Sequence, residues 1–133
     1  MFFVGKKDGA KRLVIDYQRL NDITVRDAYP LPQNNQIMDQ VRGSKAFSKF
    51  DMKSGYNQLC VKEGQEWLTA FNMPEGPFQL NVMTFGFMNT PPIFQQFVDN
   101  HIYKKAELVN HLVGYLDDGN IHNKTMEEHV VLV

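Results

Sequence analysis

Two adjacent aspartates, Asp117 and Asp118, separate two short runs of β-forming character at residues 112–116 and 120–122. An Asp-Asp-Gly step between such runs predicts a β-hairpin with both carboxylates at its tip. Neighbouring like charges are costly unless water or a cation screens them. The chain must therefore present this tip to solvent or to a cation, and an ordinary solvated turn is the alternative to a functional acid pair.

The segments before this hairpin predict strands and one helix. Residues 2–4 and 13–16 bracket a Lys-Asp-Gly-Ala turn and predict a first hairpin. Apolar residues recur at helical spacing from 37 to 41, after the break at Tyr29-Pro-Leu-Pro and before a terminating Gly43. Residues 46–52 alternate apolar and polar side chains and predict a strand with Asp51 near its end. Two further strands are predicted at 69–73 and 78–83, joined by a turn at residues 74–77.

Two helices are predicted in the second half of the chain. Asn89-Thr90 followed by two prolines is a strong helix start. The apolar face that follows includes His101, which we expect to be a core or boundary histidine rather than a ligand. Thr125 and Glu128 form a capping-box pattern that opens a last helix. Because that helix reaches only about two turns before residue 133, we expect the chain to be a fragment.

The order of these elements predicts an α+β fold with a mainly antiparallel sheet. A chain of 133 residues with 43% hydrophobic residues is long enough for one domain with a core. A single cysteine, Cys60, excludes an internal disulfide framework and fits a reducing intracellular setting. No apolar run reaches the roughly 20 residues that a membrane helix needs, and no secretory signal is recognisable.

The charge distribution leaves nucleic-acid binding open. The net charge is −1, which does not by itself indicate a nucleic-acid-binding protein. Basic residues nevertheless crowd the N-terminal hairpin, at Lys6, Lys7, Lys11 and Arg12. They could contact phosphates, or they could simply keep an exposed hairpin in solution.

A third acid, Asp51, extends the argument about the acid pair. If its strand lies beside the hairpin, the three carboxylates could chelate two divalent cations. Mg²⁺ suits such a site because it prefers oxygen ligands and retains waters that substrate phosphates can displace.

Several segments in one order resemble the conserved boxes of reverse transcriptases, in particular those of Gypsy-type LTR retrotransposons. Tyr115-Leu-Asp-Asp118 matches the YxDD box. The other matching stretches are 6–21, Tyr29-Pro-Leu-Pro32, 47–58, 85–95 and 124–129. The resemblance covers nearly the whole chain. It implies a polymerase palm of antiparallel strands backed by helices, of split β-α-β type, with a partial fingers subdomain. The fingers would span about 1–25 and 59–84 and the palm about 26–58 and 85–133, without thumb, connection or RNase H domains.

The resemblance also implies an RNA-directed DNA polymerase, a nucleotidyltransferase that uses Mg²⁺ or Mn²⁺. Asp51 and Asp117 would hold the metal ions and Asp118 would support them. Lys6 and Arg12 would bind the outer phosphates of the incoming dNTP. The rest of the dNTP site would comprise Lys53, Ser54, Gly55, the steric gate Tyr56, Phe85 and Gly86, while Tyr115 and Gln95 would lie near the template-primer. Tyr56 could equally be a packed core tyrosine.

The partners implied are an RNA or DNA template-primer, a dNTP and the remainder of a Pol polyprotein, in the cytoplasm, a retrotransposon particle or the nucleus. Five positions depart from the family pattern: Gln18, Thr84, Gly114, Gly119 and Asn120. Glycine and asparagine after the acid pair are poor choices for a buried return strand. A degenerate, non-catalytic remnant therefore stays a second hypothesis, and an unrelated Mg²⁺-dependent phosphohydrolase a third.

Overall fold

The computed structural model describes residues 2–5, 9, 11–104 and 108–133. Every strand pair in that part of the chain is antiparallel, in three separate sheets ordered β1-β2, β3-β7-β6 and β4-β5. The elements are β1 Phe2–Gly5, β2 Lys11–Val14, α1 Gln18–Ile23, α2 Asn34–Gln40, β3 Ala46–Asp51, β4 Phe71–Met73, β5 Gly76–Phe78, α3 Thr90–Val98, β6 Leu112–Tyr115, β7 Asp118–Asn123 and α4 Met126–Leu132. The chain divides into two compact units, Met1–Arg26 with Tyr56–Thr90 and Asp27–Gly55 with Pro91–Val133.

The first unit is organised around the buried Tyr17. Its hydroxyl donates to the carbonyl of Thr69 at 2.9 Å, and its ring centroid lies 4.2 Å from that of Phe87. The predicted N-terminal hairpin is confirmed by the β1-β2 pair. The strands predicted at 69–73 and 78–83 are partly wrong, because β4 and β5 have three residues each. The buried Thr69 hydroxyl accepts from the backbone N–H of Leu80, so a side chain replaces the strand ladder there.

The second unit is built on the β3-β7-β6 sheet. Asp51 lies opposite Asp118, and Tyr115 lies opposite the same residue on the other side. The predicted strand at 46–52 and the acid-tipped hairpin are both confirmed. The last helix, α4, packs on β3 and β7, and its N-cap Thr125 accepts from the backbone N–H of Glu128 at 3.3 Å. The helix after the Tyr-Pro-Leu-Pro segment is confirmed as α2.

A change of helical pitch follows α3. The α-helix runs to Val98 and continues as a π-helical segment, Asp99–Tyr103, with a bond of 3.0 Å from the Lys104 N–H to the Asp99 carbonyl. The wider turn brings Tyr103 into the core after Val98 and leaves His101 exposed. The prediction of a core or boundary His101 is therefore wrong, because it assumed an unbroken 3.6-residue period. Its ring stacks on Phe97 at 4.6 Å instead.

Two glycines of the acid-tipped hairpin lie beneath aromatic rings. A β-carbon at Gly114 would fall 1.8 Å from the Tyr103 hydroxyl, and one at Gly119 would fall 2.1 Å from the Phe50 ring. The missing side chain at Gly119 therefore leaves no gap, because the ring of Phe50 on the neighbouring strand fills that space. Asn120, the next residue, does destabilise the strand as expected. Its Oδ1 is buried without a hydrogen-bond partner among the described residues, and burying an unpaired polar atom costs free energy.

Candidate active site

Three carboxylates stand at one end of the β3-β7-β6 sheet. Asp51 is the last residue of β3 and Asp118 the first residue of β7, and the two are direct cross-strand partners. Asp117 lies in the intervening turn, where its carbonyl accepts from the Met52 N–H at 2.8 Å. Strand pairing and this backbone hydrogen bond therefore place the backbones of the three predicted acids at one end of the sheet. In the described part of the chain no three acidic, histidine or cysteine side chains converge as a ready-made metal site.

An ammonium group already neutralises part of this charge. Lys49 Nζ lies 2.8 Å from Asp118 Oδ1. The hydrogen bond from Lys49 to Asp118 raises the pKa of Lys49, and the charges of Asp118, Asp51 and Asp117 raise it further. A cation is thus favoured in the field of these acids, and their oxygen donors match the preference of Mg²⁺. Sequence reasoning missed Lys49, although it stands two residues before Asp51 on the same face of β3.

The turn of the acid-tipped hairpin is held by a buried amide. Leu116 adopts a left-handed backbone with φ of 55°, which is unfavourable for a residue with a side chain. Its N–H donates to Gln95 Oε1 at 2.8 Å. Gln95 is 0% exposed, and its Nε2 donates to Asp99 Oδ1 at 2.8 Å. The structure therefore places Gln95 beneath the hairpin with both polar atoms engaged inside the protein, while Tyr115 is exposed.

The predicted steric gate lies in the other unit. The ring of Tyr56 meets that of Phe85 edge-on, with centroids 4.8 Å apart. Gly86 follows at φ of 113°, where a β-carbon would come within 2.9 Å of the Ile15 carbonyl. Asn21 brackets this turn, because its side chain donates to the Gly86 carbonyl and accepts from the Met88 N–H. Asn21 was not predicted as a positioning residue, although it ends the matching stretch at residues 6–21.

Lys53, Ser54 and Gly55, which were predicted to contact the triphosphate, form a turn after β3 that is packed against α3. Ser54 adopts a left-handed backbone with φ of 54°. Gly55 is buried, and a β-carbon there would lie 2.6 Å from the Phe94 ring. The glycine is therefore required by packing, whatever approaches its backbone. Lys53 is exposed. Lys6 and the side chain of Arg12 lie outside the described residues.

Residues 4–133 match the family described as reverse transcriptase (RNA-dependent DNA polymerase). Two curated relatives from Schizosaccharomyces pombe (strain 972 / ATCC 24843) are the Transposon Tf2-3 and Tf2-7 polyproteins, at 39% and 38% identity over 130 residues. Each alignment covers 98% of this chain and 10% of the relative, so the chain spans about a tenth of the length of these polyproteins.

Solved structures show the same fold. The foamy viral protease–reverse transcriptase with RNA/DNA hybrid aligns with a TM-score of 0.81 and 22% identity, over 98% of this chain and 17% of that one. A second foamy viral structure, with double-stranded DNA, aligns with a TM-score of 0.84 and 24% identity, over 98% and 22%. The fold is that of a reverse transcriptase palm, which confirms the predicted α+β class. The chain belongs to the reverse transcriptase (RNA-dependent DNA polymerase) family.

No helix in the described ranges is long and apolar enough to cross a membrane.

Proposed function

We propose that this chain is the nucleotidyl-transfer core of an RNA-directed DNA polymerase from a Gypsy-type LTR retrotransposon polyprotein. The observation that carries the proposal is the pairing of Asp51 with Asp118 at one sheet end, with Asp117 in the adjoining turn. Its partners are an RNA or DNA template-primer and a dNTP, and the rest of the Pol polyprotein surrounds it in the parent protein. The match of nearly the whole chain to the family supports this assignment.

Two observations support divalent cations at these acids. Carboxylate oxygens are ligands that such ions prefer, and the acids already attract a positive charge, since they raise the pKa of the Lys49 ammonium group paired with Asp118. Asp51 and Asp117 would hold Mg²⁺, or Mn²⁺, and Asp118 would support them. Ions held there would supply activation of the primer 3′-hydroxyl and stabilisation of the leaving pyrophosphate. The primer 3′-oxygen loses its proton to water and forms a bond to the α-phosphorus, as the bond from that phosphorus to the oxygen bridging to the β-phosphate breaks and pyrophosphate leaves.

The protein's own groups orient this reaction. Gln95 holds the Leu116 amide and so fixes the turn from which Asp117 projects. In the other unit, Tyr56 is the steric gate that excludes a ribose 2′-hydroxyl, and its ring meets that of Phe85 edge-on. Phe85 and Gly86 line the nucleotide and template pocket. Lys53, Ser54 and Gly55 present backbone amides to the triphosphate. Lys6 and Arg12 bind its outer phosphates, and Tyr115 faces the template-primer together with the hairpin that Gln95 supports.

The test combines primer extension on an RNA template with direct measurement of Mn²⁺ binding. Asp117→Asn is expected to abolish extension and to weaken Mn²⁺ binding by about tenfold or more. Asp39→Asn is the matched control, because that exposed acid lies on α2 and pairs with Arg42. Mn²⁺ binding that is equal in the wild type and Asp117→Asn would contradict the proposal. A folded chain that binds neither Mn²⁺ nor dNTP would instead favour the non-catalytic remnant.

A further inference from the structure

A continuous hydrogen-bonded chain connects the Tyr-Pro-Leu-Pro segment to the acid-tipped hairpin. The Tyr29 hydroxyl donates to Asp99 Oδ2 at 2.6 Å, and Gln95 Nε2 donates to Asp99 Oδ1 at 2.8 Å. The Leu116 N–H then donates to Gln95 Oε1 at 2.8 Å. All four residues belong to the second unit, and three separate stretches of sequence supply them.

The donor and acceptor roles in this series of hydrogen bonds fix the orientation of the Gln95 side-chain amide. A carboxylate only accepts, so Asp99 requires Gln95 to turn its NH₂ group towards it. The amide oxygen of Gln95 then points at Leu116, whose N–H needs an acceptor. A reversed amide would set the Gln95 NH₂ against the Leu116 N–H and would leave a buried donor unpaired. Asp99 therefore selects the one orientation of Gln95 that supports the hairpin.

Tyr29 in turn holds Asp99. The short bond occupies the carboxylate oxygen that Gln95 does not use. The hydrogen bond to Asp99, with burial and the Asp99 charge as lesser causes, raises the pKa of Tyr29 to about 12, which shows that this contact favours the protonated, donating phenol. Tyr29 and Asp99 also line a cavity of about 580 Å³ bordered by Pro30, Ile37 and Val113. A carboxylate released by Tyr29 would have open space into which to turn.

We propose that Tyr29 is a positioning residue for the catalytic hairpin, acting through Asp99 and Gln95 on the strained Leu116 and hence on Asp117. The role of Asp117 in this statement rests on the proposed function, whereas the mechanical link from Tyr29 to Leu116 does not. The Tyr-Pro-Leu-Pro segment then contributes to catalysis without contacting substrate.

The test compares Tyr29→Phe with Tyr17→Phe, which removes a tyrosine hydroxyl bond of 2.9 Å in the other unit. Amide hydrogen exchange is followed at Leu116, together with Mn²⁺ affinity and the electron paramagnetic resonance spectrum of bound Mn²⁺. In Tyr29→Phe, exchange at Leu116 is expected to rise about twofold to tenfold and Mn²⁺ binding to weaken by a similar factor. Tyr17→Phe is expected to change neither the exchange at Leu116 nor the Mn²⁺ affinity, even if it lowers thermal stability as much as Tyr29→Phe does.

A double variant separates this chain from general loosening. Asp99→Ala alone is expected to reproduce the Leu116 exchange of Tyr29→Phe, and the two changes together are expected to add little, because they interrupt one path. Unchanged exchange at Leu116 in Tyr29→Phe, or an equal rise in Tyr17→Phe, would overturn the inference. If the wild-type chain does not bind Mn²⁺, the proposed function is contradicted. Amide exchange at Leu116 would still test the connection from Tyr29 to Leu116.

Discussion

The ring of Phe50 on β3 lies over Gly119 on β7, and it fills the space that a side chain at position 119 would occupy. Gly119→Ala is therefore expected to lower the free energy of unfolding by about 1–3 kcal/mol, the usual cost of overpacking. Urea denaturation measures the change. Gly5→Ala is the control, since a β-carbon there meets nothing within 4 Å. Combining Gly119→Ala with Phe50→Leu should recover part of the loss; equal effects of the two glycine variants would refute the packing argument.

Removing the buried hydroxyl of Tyr103 is expected to cause no loss of stability, unlike the Gly119→Ala change. It has no hydrogen-bond partner in the part of the chain that the structure describes, and burial raises the pKa of Tyr103 to about 12, with contributions from Asp99, Asp118 and Asp117. Removing an unsatisfied buried group is commonly neutral or favourable. Tyr103→Phe should therefore leave the free energy of unfolding unchanged or raise it by up to about 1 kcal/mol. A clear loss of stability in urea would show that the hydroxyl has a bonding partner.

Stability should fall as the solution is acidified, because of His122. Burial lowers the pKa of His122 below 6.5, and the neighbouring His111 lowers it further. The unfolded chain then binds a proton more readily than the folded one, so stability is full above about pH 6.5 and declines as the pH falls through the folded pKa.

The measurement is the urea midpoint at a series of pH values from 5 to 8. His122→Gln is expected to flatten the decline, while His101→Gln, at an exposed site, is expected to keep it. Parallel curves for the wild type and His122→Gln would assign the pH dependence to other groups.

Lys49 is expected to compete with divalent cations for the acids at the sheet end, because its ammonium group already pairs with Asp118. Replacing it by methionine removes one positive charge and its bond to Asp118. Mn²⁺ affinity without substrate is expected to increase roughly twofold to fivefold, as suits an exposed ion pair. Titration calorimetry compares Lys49→Met with Lys124→Met, an exposed lysine outside the sheet strands. Weaker binding in Lys49→Met alone would mean that the ammonium orients Asp118 for the metal rather than opposing it.

Local sequence patterns predicted the strands and helices of the second unit well, because alternation, proline starts and capping residues act over a few residues. The β3 strand, the acid-tipped hairpin and α4 follow from such patterns, and the family boxes predicted which acids lie together. The failures have non-local causes. The π-helical turn moved His101 to the surface, and Thr69 ended a predicted strand through a contact 11 residues away.

Sequence patterns also gave no sign of the groups that we propose as positioning residues. Tyr29, Asp99 and Gln95 are separated by up to 70 residues, so no local period indicates that they form one hydrogen-bonded chain. Gly114 and Gly119 looked like poor strand residues until their aromatic neighbours were known. Packing partners of this kind are decided by the tertiary fold, which a single sequence does not display.

The π-helical segment Asp99–Tyr103 has a consequence for the lengths that this region can adopt in related sequences. The segment accommodates one more residue than an α-helical turn would between the buried Val98 and the buried Tyr103. A change to α-helical pitch at the same length would turn Tyr103 by about 140° from Val98 and away from Gly114, whereas deletion of one residue would keep Val98 and Tyr103 on one face. Substitutions at the exposed Asn100 and His101 would leave the π-helical pitch unchanged. Related sequences should therefore vary freely in the identity of these two exposed residues, and a length difference here should be the loss of the one residue that the π-helical turn adds.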